Sequence, residues 1–551
     1  MCYRKVISLI EESDTTEPVE PLPDREQSLP SQVKDIRPEQ EQGIVRAAAI
    51  LAAGNVASRL LGLARQTVKA NLFGASGLLS AFEVAAFVPI SLYELIIGGM
   101  VNAALVPVFS DYASKERRDE LWGVLSTVLS VASIVLLIVV ALVELFAPQI
   151  AWLVGANEFD NPALKDVAIQ LMRMAAPTIL FLGISSVLTG ALFALKRFTV
   201  PAFLGVVFNG TIVIVALLRP DYISSLVWGM LLGSFLQIVV QLRALRGARL
   251  RWRFDWQHPA VRRILGLYAP ILAGLVVNQL AIALSYNLAT RTGDQSISFM
   301  KFATTLYQFP LGLVVTALSV ATLPTLARQA TDQLLAFKQT LSEGLRMVIT
   351  LILPATAGLF ALAVPIVSLL FEHGEFTAQD TEMTALVLRI YLIGLPFAAV
   401  DQMLIFSSYA RKDTWRPALV GVISIVIYSI TAVVLLRPLG LLSLMVADSV
   451  KHVTHTFMML WVVKGQIGGL RGHGIPQSII KSTVAAVVTG FAAFITAEYV
   501  AVMMPFTGFV GTFLVVIIAG FTGILAYTAM VFVLNISEAK SLPGLLKRRQ
   551  S

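Results

Sequence analysis

The chain has 551 residues, of which 56% are hydrophobic and only 14% charged, and its mean hydropathy is +0.78. Soluble proteins carry roughly 25% charged residues, so a water-soluble enzyme is excluded and an all-α polytopic membrane protein is indicated. The net charge of +8 is accounted for by short loops between apolar stretches, which leaves nucleic acid an unnecessary partner.

In chain order, residues 1–42 are rich in Pro and Glu and read as a disordered cytoplasmic tail, with "YRKVISLI" able to lie on a membrane surface. The first apolar segment, 44–73, is too long and too far from the start to be a secretory signal. It opens a series of about 14 expected transmembrane helices, each able to cross about 30 Å of hydrocarbon. The first half holds 44–73, 78–111, 121–147, 164–194, 199–218 and 222–245. The second holds 264–290, 296–325, 341–371, 383–410, 417–436 and 439–463, and two more follow at 480–502 and 506–535. The second span is long enough to be bent. The predicted organisation is a six-helix lobe over 43–250, another over 251–465, two additional helices within 466–535 and a basic cytoplasmic tail over 536–551. Cys2 is the single cysteine, so no internal disulfide forms.

Loop charge sets the expected orientation. With the N-terminus inside, the cytoplasmic loops hold Lys115, Arg117 and Arg118, then Lys196 and Arg197, then the run from Arg243 to Arg263, then Arg411, Lys412 and Arg416. The opposite loops offer few cations beside the acidic "EHGEFTAQDTE". This asymmetry places both termini in the cytoplasm, and one missed helix would invert every later loop.

The chain repeats itself. "ALKRFTVPAFLGVV" (194–207) aligns without a gap on "ARKDTWRPALVGVI" (410–423), superposing Pro201 on Pro417 and Gly205 on Gly421. At nearly the same offset Pro89 matches Pro310, and each is followed by a second proline, Pro107 and Pro324. Two pseudo-symmetric lobes sharing one orientation, with a site between them and alternating access as the mechanism, are expected.

The first helix carries the most informative chemistry. At 100° per residue, Asn55, Ser58, Arg59, Gly62, Arg65, Gln66 and Lys69 share a sector of about 120°. Cations at membrane depth are costly, so this face should line a hydrated cavity rather than meet lipid. Lys69 could instead snorkel to the interface, and the arginines could pair with Glu83 and Glu94 of the second helix. Guanidinium groups bind phosphate bidentately, so a polyprenyl-pyrophosphate-linked glycan lipid suits such a cavity. An exporter of organic cations would use carboxylates and aromatic rings. Asp401 and Arg389 in the tenth span, and Asp448, Lys451, His452 and His455 in the twelfth, are further polar candidates. The last four form one stripe at i, i+3, i+4 and i+7, read as self-neutralising packing, with a proton relay as the other reading. The histidine pair is an incomplete metal set, so no metal or cofactor is expected. No Walker loop, metalloprotease helix or nucleophile triad is present, which points to a transporter rather than an enzyme.

The stretches "SRLLGLARQTVKANLFGAS", "FVPISLYELIIGGMVNAALVPVFSDY", "QFPLGLVVTALSVATLPTLAR", "LFEHGEFTAQDTEMTALVLRIYLIGLPFAAVDQML" and "SSYARKDTWRP" together resemble the MurJ/MviN lipid II flippases of the multidrug/oligosaccharidyl-lipid/polysaccharide exporter superfamily. The resemblance implies fourteen helices, a central cavity that opens alternately to each side, and a groove by the last two helices for the polyprenyl tail. It implies transport of the lipid-linked peptidoglycan precursor from the inner to the outer leaflet of the bacterial plasma membrane, in cell-wall biosynthesis. Membrane lipids and cell-wall synthesis enzymes are the implied partners of a functional monomer. Arg59 and Arg65 match the family's two first-helix cavity arginines. Three positions depart, with Ser80 for a family aspartate, Tyr93 for a second-helix arginine and Thr305 for an eighth-helix arginine. Lys301, one turn before Thr305, can restore a cation. The substrate-binding candidates are thus Arg59, Arg65, Lys69, Lys301, Ser80, Tyr93 and Thr305, with Glu83, Glu94 and Asp401 as coupling or cavity carboxylates. Some family members hold sodium with acidic and amide groups on helices seven and eleven. Residues 418–436 contain neither Asp nor Asn, so that site is not expected. The other readings are a flippase for a different polyprenyl-pyrophosphate oligosaccharide, a drug/ion antiporter of the same superfamily, and a non-transporting scaffold for cell-wall enzymes.

Overall fold

The computed structural model describes residues 38–503 and 508–538. Most of the N-terminal tail, the "YRKVISLI" segment, Cys2 and the end of the basic C-terminal tail lie outside the described residues. Among the described residues the regular structure is all helical, with no strand, and from Ala49 onward the chain forms one compact unit.

The first half comprises α1 (Pro38–Phe73), α2 (Gly77–Leu95), α3 (Val106–Ser110), α4 (Arg118–Leu153), α5 (Pro162–Ala175), α6 (Pro177–Ala194), α7 (Thr199–Ala202), α8 (Leu204–Leu218) and α9 (Ser224–Ala244). The second comprises α10 (Pro259–Thr290), α11 (Ser296–Pro310), α12 (Thr316–Gln329), α13 (Leu334–Ala361), α14 (Ala363–Phe371), α15 (Ala378–Ala410), α16 (Trp415–Leu439) and α17 (Leu442–Ile467). The chain closes with α18 (Ile475–Met503) and α19 (Gly508–Val533). The helix of the first span begins at Pro38, inside the stretch expected to be tail. Starts follow local chemistry. Proline stands in the first turn of α5, α6 and α10, where no N–H is needed, and Thr377 and Asp380 make a reciprocal capping box on α15.

Ten described helices are long and apolar enough to span a membrane, against the expected fourteen. The other four expected spans also fall on helices. α1 carries the cationic face and α17 the Asp448 stripe. α8 has 15 residues, and α10 (Pro259–Thr290) contains the expected span 264–290.

The repeat extends to the backbone. Lys196 and Lys412 adopt left-handed φ values of 58° and 61°, a conformation that costs a side-chain-bearing residue roughly 1–2 kcal/mol. Both close a helix with the same pair of bonds. Lys196 N donates to Phe193 O and Arg197 N to Leu192 O, at 2.9 and 2.8 Å; Lys412 N donates to Tyr409 O and Asp413 N to Ser408 O, at 2.9 and 3.0 Å. A second echo lies between α2 and α3 and between α11 and α12, where wide π-type turns occupy Ile96–Leu105 and Leu311–Val315. Each follows the matched proline. Such turns release the regular hydrogen-bond ladder and mark sites of bending.

Core packing differs at the two ends of the bundle. Where α1 meets α2, one buried cluster draws on both halves, including Phe73, Leu79 and Phe82 with Phe302, Phe371 and Phe376. Polar contacts reinforce this seam. Glu375 N donates to Asn71 O at 3.0 Å, Ser298 Oγ to Ser76 O at 3.0 Å, and Asp160 N to Asp294 Oδ1 at 2.7 Å. Gly74 and Gly374, both at left-handed φ, allow the two backbones to touch, since a methyl group on either would strike the opposing chain. At the other end the cores are separate. Trp122, Leu188 and Ile264 belong to one, and Phe337, Met403 and Met459 to another. The halves are thus sealed together at the α1–α2 end; toward the opposite end the first-half cluster takes in α10 alone from the second half, through residues such as Ile264 and Tyr268, and elsewhere the halves part. The last two helices pack on each other and on α13, where Tyr527 Oη donates to Thr350 O at 2.6 Å and Thr350 meets Ser482 at 3.2 Å.

Candidate functional site

Two cavities lie between the halves. The first, of about 320 Å³, is walled by Arg59, Arg65, Gln66 and Lys69 of α1, by Glu83 and Glu94 of α2, and by Lys301, Thr304, Thr305 and Gln308 of α11. Four cations face two carboxylates there, an excess of two positive charges. The α1 residues are those on its single polar face, and the α11 residues repeat the same logic at i, i+3, i+4 and i+7.

The charges are partly neutralised among themselves, in an order unlike either sequence-level alternative. Glu83 pairs with Lys69, and its other oxygen stands 3.7 Å from Lys301 Nζ. One carboxylate therefore joins lysines from both halves. Lys69 and Glu83 are almost completely buried, at 3% and 4% exposed, so Lys69 does not snorkel to the interface. Phe82 covers its ammonium at 4.9 Å and Tyr286 covers that of Lys301 at 5.3 Å. Glu94 accepts from Gln279 Nε2 at 3.0 Å. The arginines are left over. Among the described residues, neither Arg59 Nε nor Arg65 Nε has a hydrogen-bond partner, although both are buried. A buried, unsatisfied guanidinium N–H is costly, and an anion in the cavity would satisfy it.

The remaining candidates separate. Thr305 lines the first cavity but donates to Lys301 O at 2.8 Å. Ser80 lies in the sealed seam, 2.9 Å from Ser298 Oγ, and Tyr93 is half-buried outside both cavity walls. Asp401 faces a second cavity of about 550 Å³, which shares Glu94, Lys301, Thr304 and Gln308 with the first. His455 bonds Asp401 at 2.6 Å there, and Asp448 pairs with Lys451 and stands 3.6 Å from His452. Arg389 is elsewhere, donating to Phe360 O at 3.2 Å. Sequence reasoning missed Thr304 and Gln308, whose spacing from Lys301 was a usable signal. It also missed the Tyr286, Tyr391 and Tyr428 walls of the second cavity, which read as ordinary apolar positions.

Arg59 also has a close neighbour across the cleft. A β-carbon at Gly312, in the π-type turn after α11, would occupy the space of the Arg59 guanidinium. The displaced group is the tip of a flexible side chain, so Gly312→Ala is expected to leave thermal stability nearly unchanged. Binding of a pyrophosphate lipid should weaken by about 3- to 10-fold, less than the loss of one charged hydrogen bond, as measured by titration of the purified protein. Unchanged binding would show that Arg59 does not need this position.

A helical membrane protein whose two repeated halves enclose polar cavities, sealed at one end and parted at the other, is a transporter by architecture. The sequence profile described as "Lipid II flippase MurJ" matches residues 69–519, and the chain belongs to that family. It is 28% identical over 434 residues to the lipid II flippase MurJ of Burkholderia cenocepacia, covering 76% of this chain and 82% of that one. It is 25% identical over 458 residues to the probable lipid II flippase MurJ of Bdellovibrio bacteriovorus, covering 81% and 87%. The solved structure of a lipid II flippase MurJ in an inward closed conformation superposes with a TM-score of 0.75 at 25% identity, over 88% of this chain and 98% of that chain. An inward-facing multidrug resistance MATE transporter superposes with a TM-score of 0.63 at 14% identity, over 74% and 94%, and shares the fold.

Proposed function

We propose that this chain moves lipid II, a polyprenyl-pyrophosphate-linked peptidoglycan precursor, from the inner to the outer leaflet by alternating access. The observation that carries the reading is the cavity in which Arg59 and Arg65 hold buried, unpartnered N–H groups beside two lysines. Pyrophosphate is doubly anionic and accepts the planar two-point bonds that guanidinium offers. With both termini in the cytoplasm, the sealed end faces outward and the cleft faces the cytoplasm, where the substrate's headgroup begins. The predicted lobes over 43–250 and 251–465 are then the bodies that rock, and the helices within 466–535 offer an apolar face to the prenyl tail. Arrival of pyrophosphate between Lys69 and Lys301 competes with Glu83 for both lysines and loosens a bridge between the halves. Each elementary charge carried through the full potential contributes about 2.3 kcal/mol per 100 mV, which can bias the cycle. A second reading, transport of another polyprenyl-pyrophosphate glycan, is favoured by Tyr93 and Thr305 standing where the family has arginines.

The deciding experiment is native mass spectrometry of the purified protein offered lipid II and a polyprenyl-pyrophosphate oligosaccharide in equal amounts. Selective retention of lipid II is expected. Preference for the oligosaccharide would move the assignment to the second reading, and retention of neither would remove the pyrophosphate assignment.

A further inference from the structure

The connection from α9 to α10 is an unusual piece of sequence. "ARLRWRFDW", Ala248 to Trp256, alternates arginine with large apolar side chains. No helix forms over residues 248–255. Instead the backbone is tied to the side of α4, with Arg251 N donating to Ser126 Oγ and Arg253 N to Ser130 Oγ, both at 3.0 Å. The two repeats match. Four residues of helix rise about 6 Å and two residues of extended chain about 6.7 Å, so N–H groups two apart meet hydroxyls four apart. An extended segment sends successive side chains to opposite faces. Arg249, Arg251 and Arg253 therefore form one face, and Leu250, Trp252, Phe254 and Trp256 the other.

Both faces are exposed. Trp252 is 69% exposed, Phe254 56% and Trp256 48%, and the three arginines are exposed as well. Arg263, by contrast, is engaged with Asp111. Height along α4 explains what such a strip meets. Ser126 and Ser130 lie 8 and 12 residues beyond Arg118, at which α4 begins, or roughly 12 and 18 Å along a helix of about 54 Å. A helix that long projects beyond a hydrocarbon core of about 30 Å. Its polar first turn of Arg118, Asp119 and Glu120 belongs in water, and the strip falls just below, at the level where headgroups give way to acyl chains. Aromatic rings favour that boundary, and arginine favours anionic headgroups.

We propose that residues 249–256 form a binding site for acidic phospholipid headgroups on the cytoplasmic leaflet, with Arg249, Arg251 and Arg253 holding the phosphate and Trp252, Phe254 and Trp256 seated among the upper acyl chains. Pinning by Ser126 and Ser130 presents the arginines in a fixed row instead of on a loose loop. Asp255, the one carboxylate in the strip, accepts from Gln257 N at 3.0 Å and so is turned along its own chain. The site is separate from both cavities and does not depend on which glycan lipid is transported.

The test uses the full chain in detergent, titrated with phosphatidylglycerol or phosphatidylcholine and read by native mass spectrometry. Phosphatidylglycerol should be retained preferentially, and the Arg249→Gln/Arg251→Gln/Arg253→Gln variant should lose at least about tenfold in that retention, with lipid II binding unchanged as the check on folding. A second variant, Trp252→Phe/Trp256→Phe, keeps the row of charge. In vesicles of brominated phosphatidylglycerol, the wild-type protein should be quenched more strongly than this variant. Equal retention of the two phospholipids, undiminished phosphatidylglycerol in the triple variant, or displacement of phosphatidylglycerol from the strip by lipid II would each overturn the assignment.

Discussion

Replacing Arg59 and Arg65 together by alanine is expected to lower affinity for a pyrophosphate lipid by about 100-fold or more. A hydrogen bond to a charged group contributes roughly 1.5–3 kcal/mol, and the two guanidinium groups are the cavity's cations with unsatisfied donors. Folding should not suffer, because the substitutions remove buried donors that lack acceptors. Lysine at both positions would keep the charge while losing the planar fork, and an intermediate affinity is expected. The comparison is made by titration under one salt concentration with thermal midpoints recorded alongside. Affinity in the double-alanine variant equal to wild type would place the pyrophosphate elsewhere and leave Lys69 and Lys301 as its only cationic candidates in the first cavity.

The second large effect concerns stability. Glu83→Ala leaves Lys69 without its buried partner and Lys301 without the carboxylate 3.7 Å away. Removing one member of a buried ion pair costs about 3–5 kcal/mol, so the thermal midpoint of the purified protein should fall clearly. Lys69→Met in the same chain removes the stranded charge and should recover most of the loss, because an apolar replacement of both partners is often neutral. Addition of pyrophosphate lipid should also recover part of it, by supplying the lysines with an anion. If Glu83→Ala melts like wild type, water in the cavity solvates both lysines and the carboxylate is no bridge between the halves.

The class of this protein and the polar face of its first helix were legible without coordinates. Apolar stretches of membrane-crossing length can only be helices, and a helix of fixed period puts Arg59, Arg65 and Lys69 on one side whatever surrounds it. The repeat was legible for a similar reason. Pairs such as Pro201 with Pro417 are read from order alone, and the left-handed turns at Lys196 and Lys412 carry the same register into the backbone.

Pairing across helices was not legible. Glu83 and Glu94 looked equivalent as partners for the arginines, yet one took two lysines and the other Gln279. Sequence spacing constrains neighbours on one helix, whereas partners on different helices depend on how α1, α2 and α11 are rotated about their axes. The same rotation put Ser80 in the seam and Lys301 in both cavities. The sequence by itself determined the membrane class, the helical periodicity and the excess of positive charge on one face, because each is a property of composition or of a single helix. Only the tertiary structure decided which charges neutralise one another, which arginine N–H groups remain unpaired and at which end the halves part, because those depend on long-range packing between segments far apart in the chain.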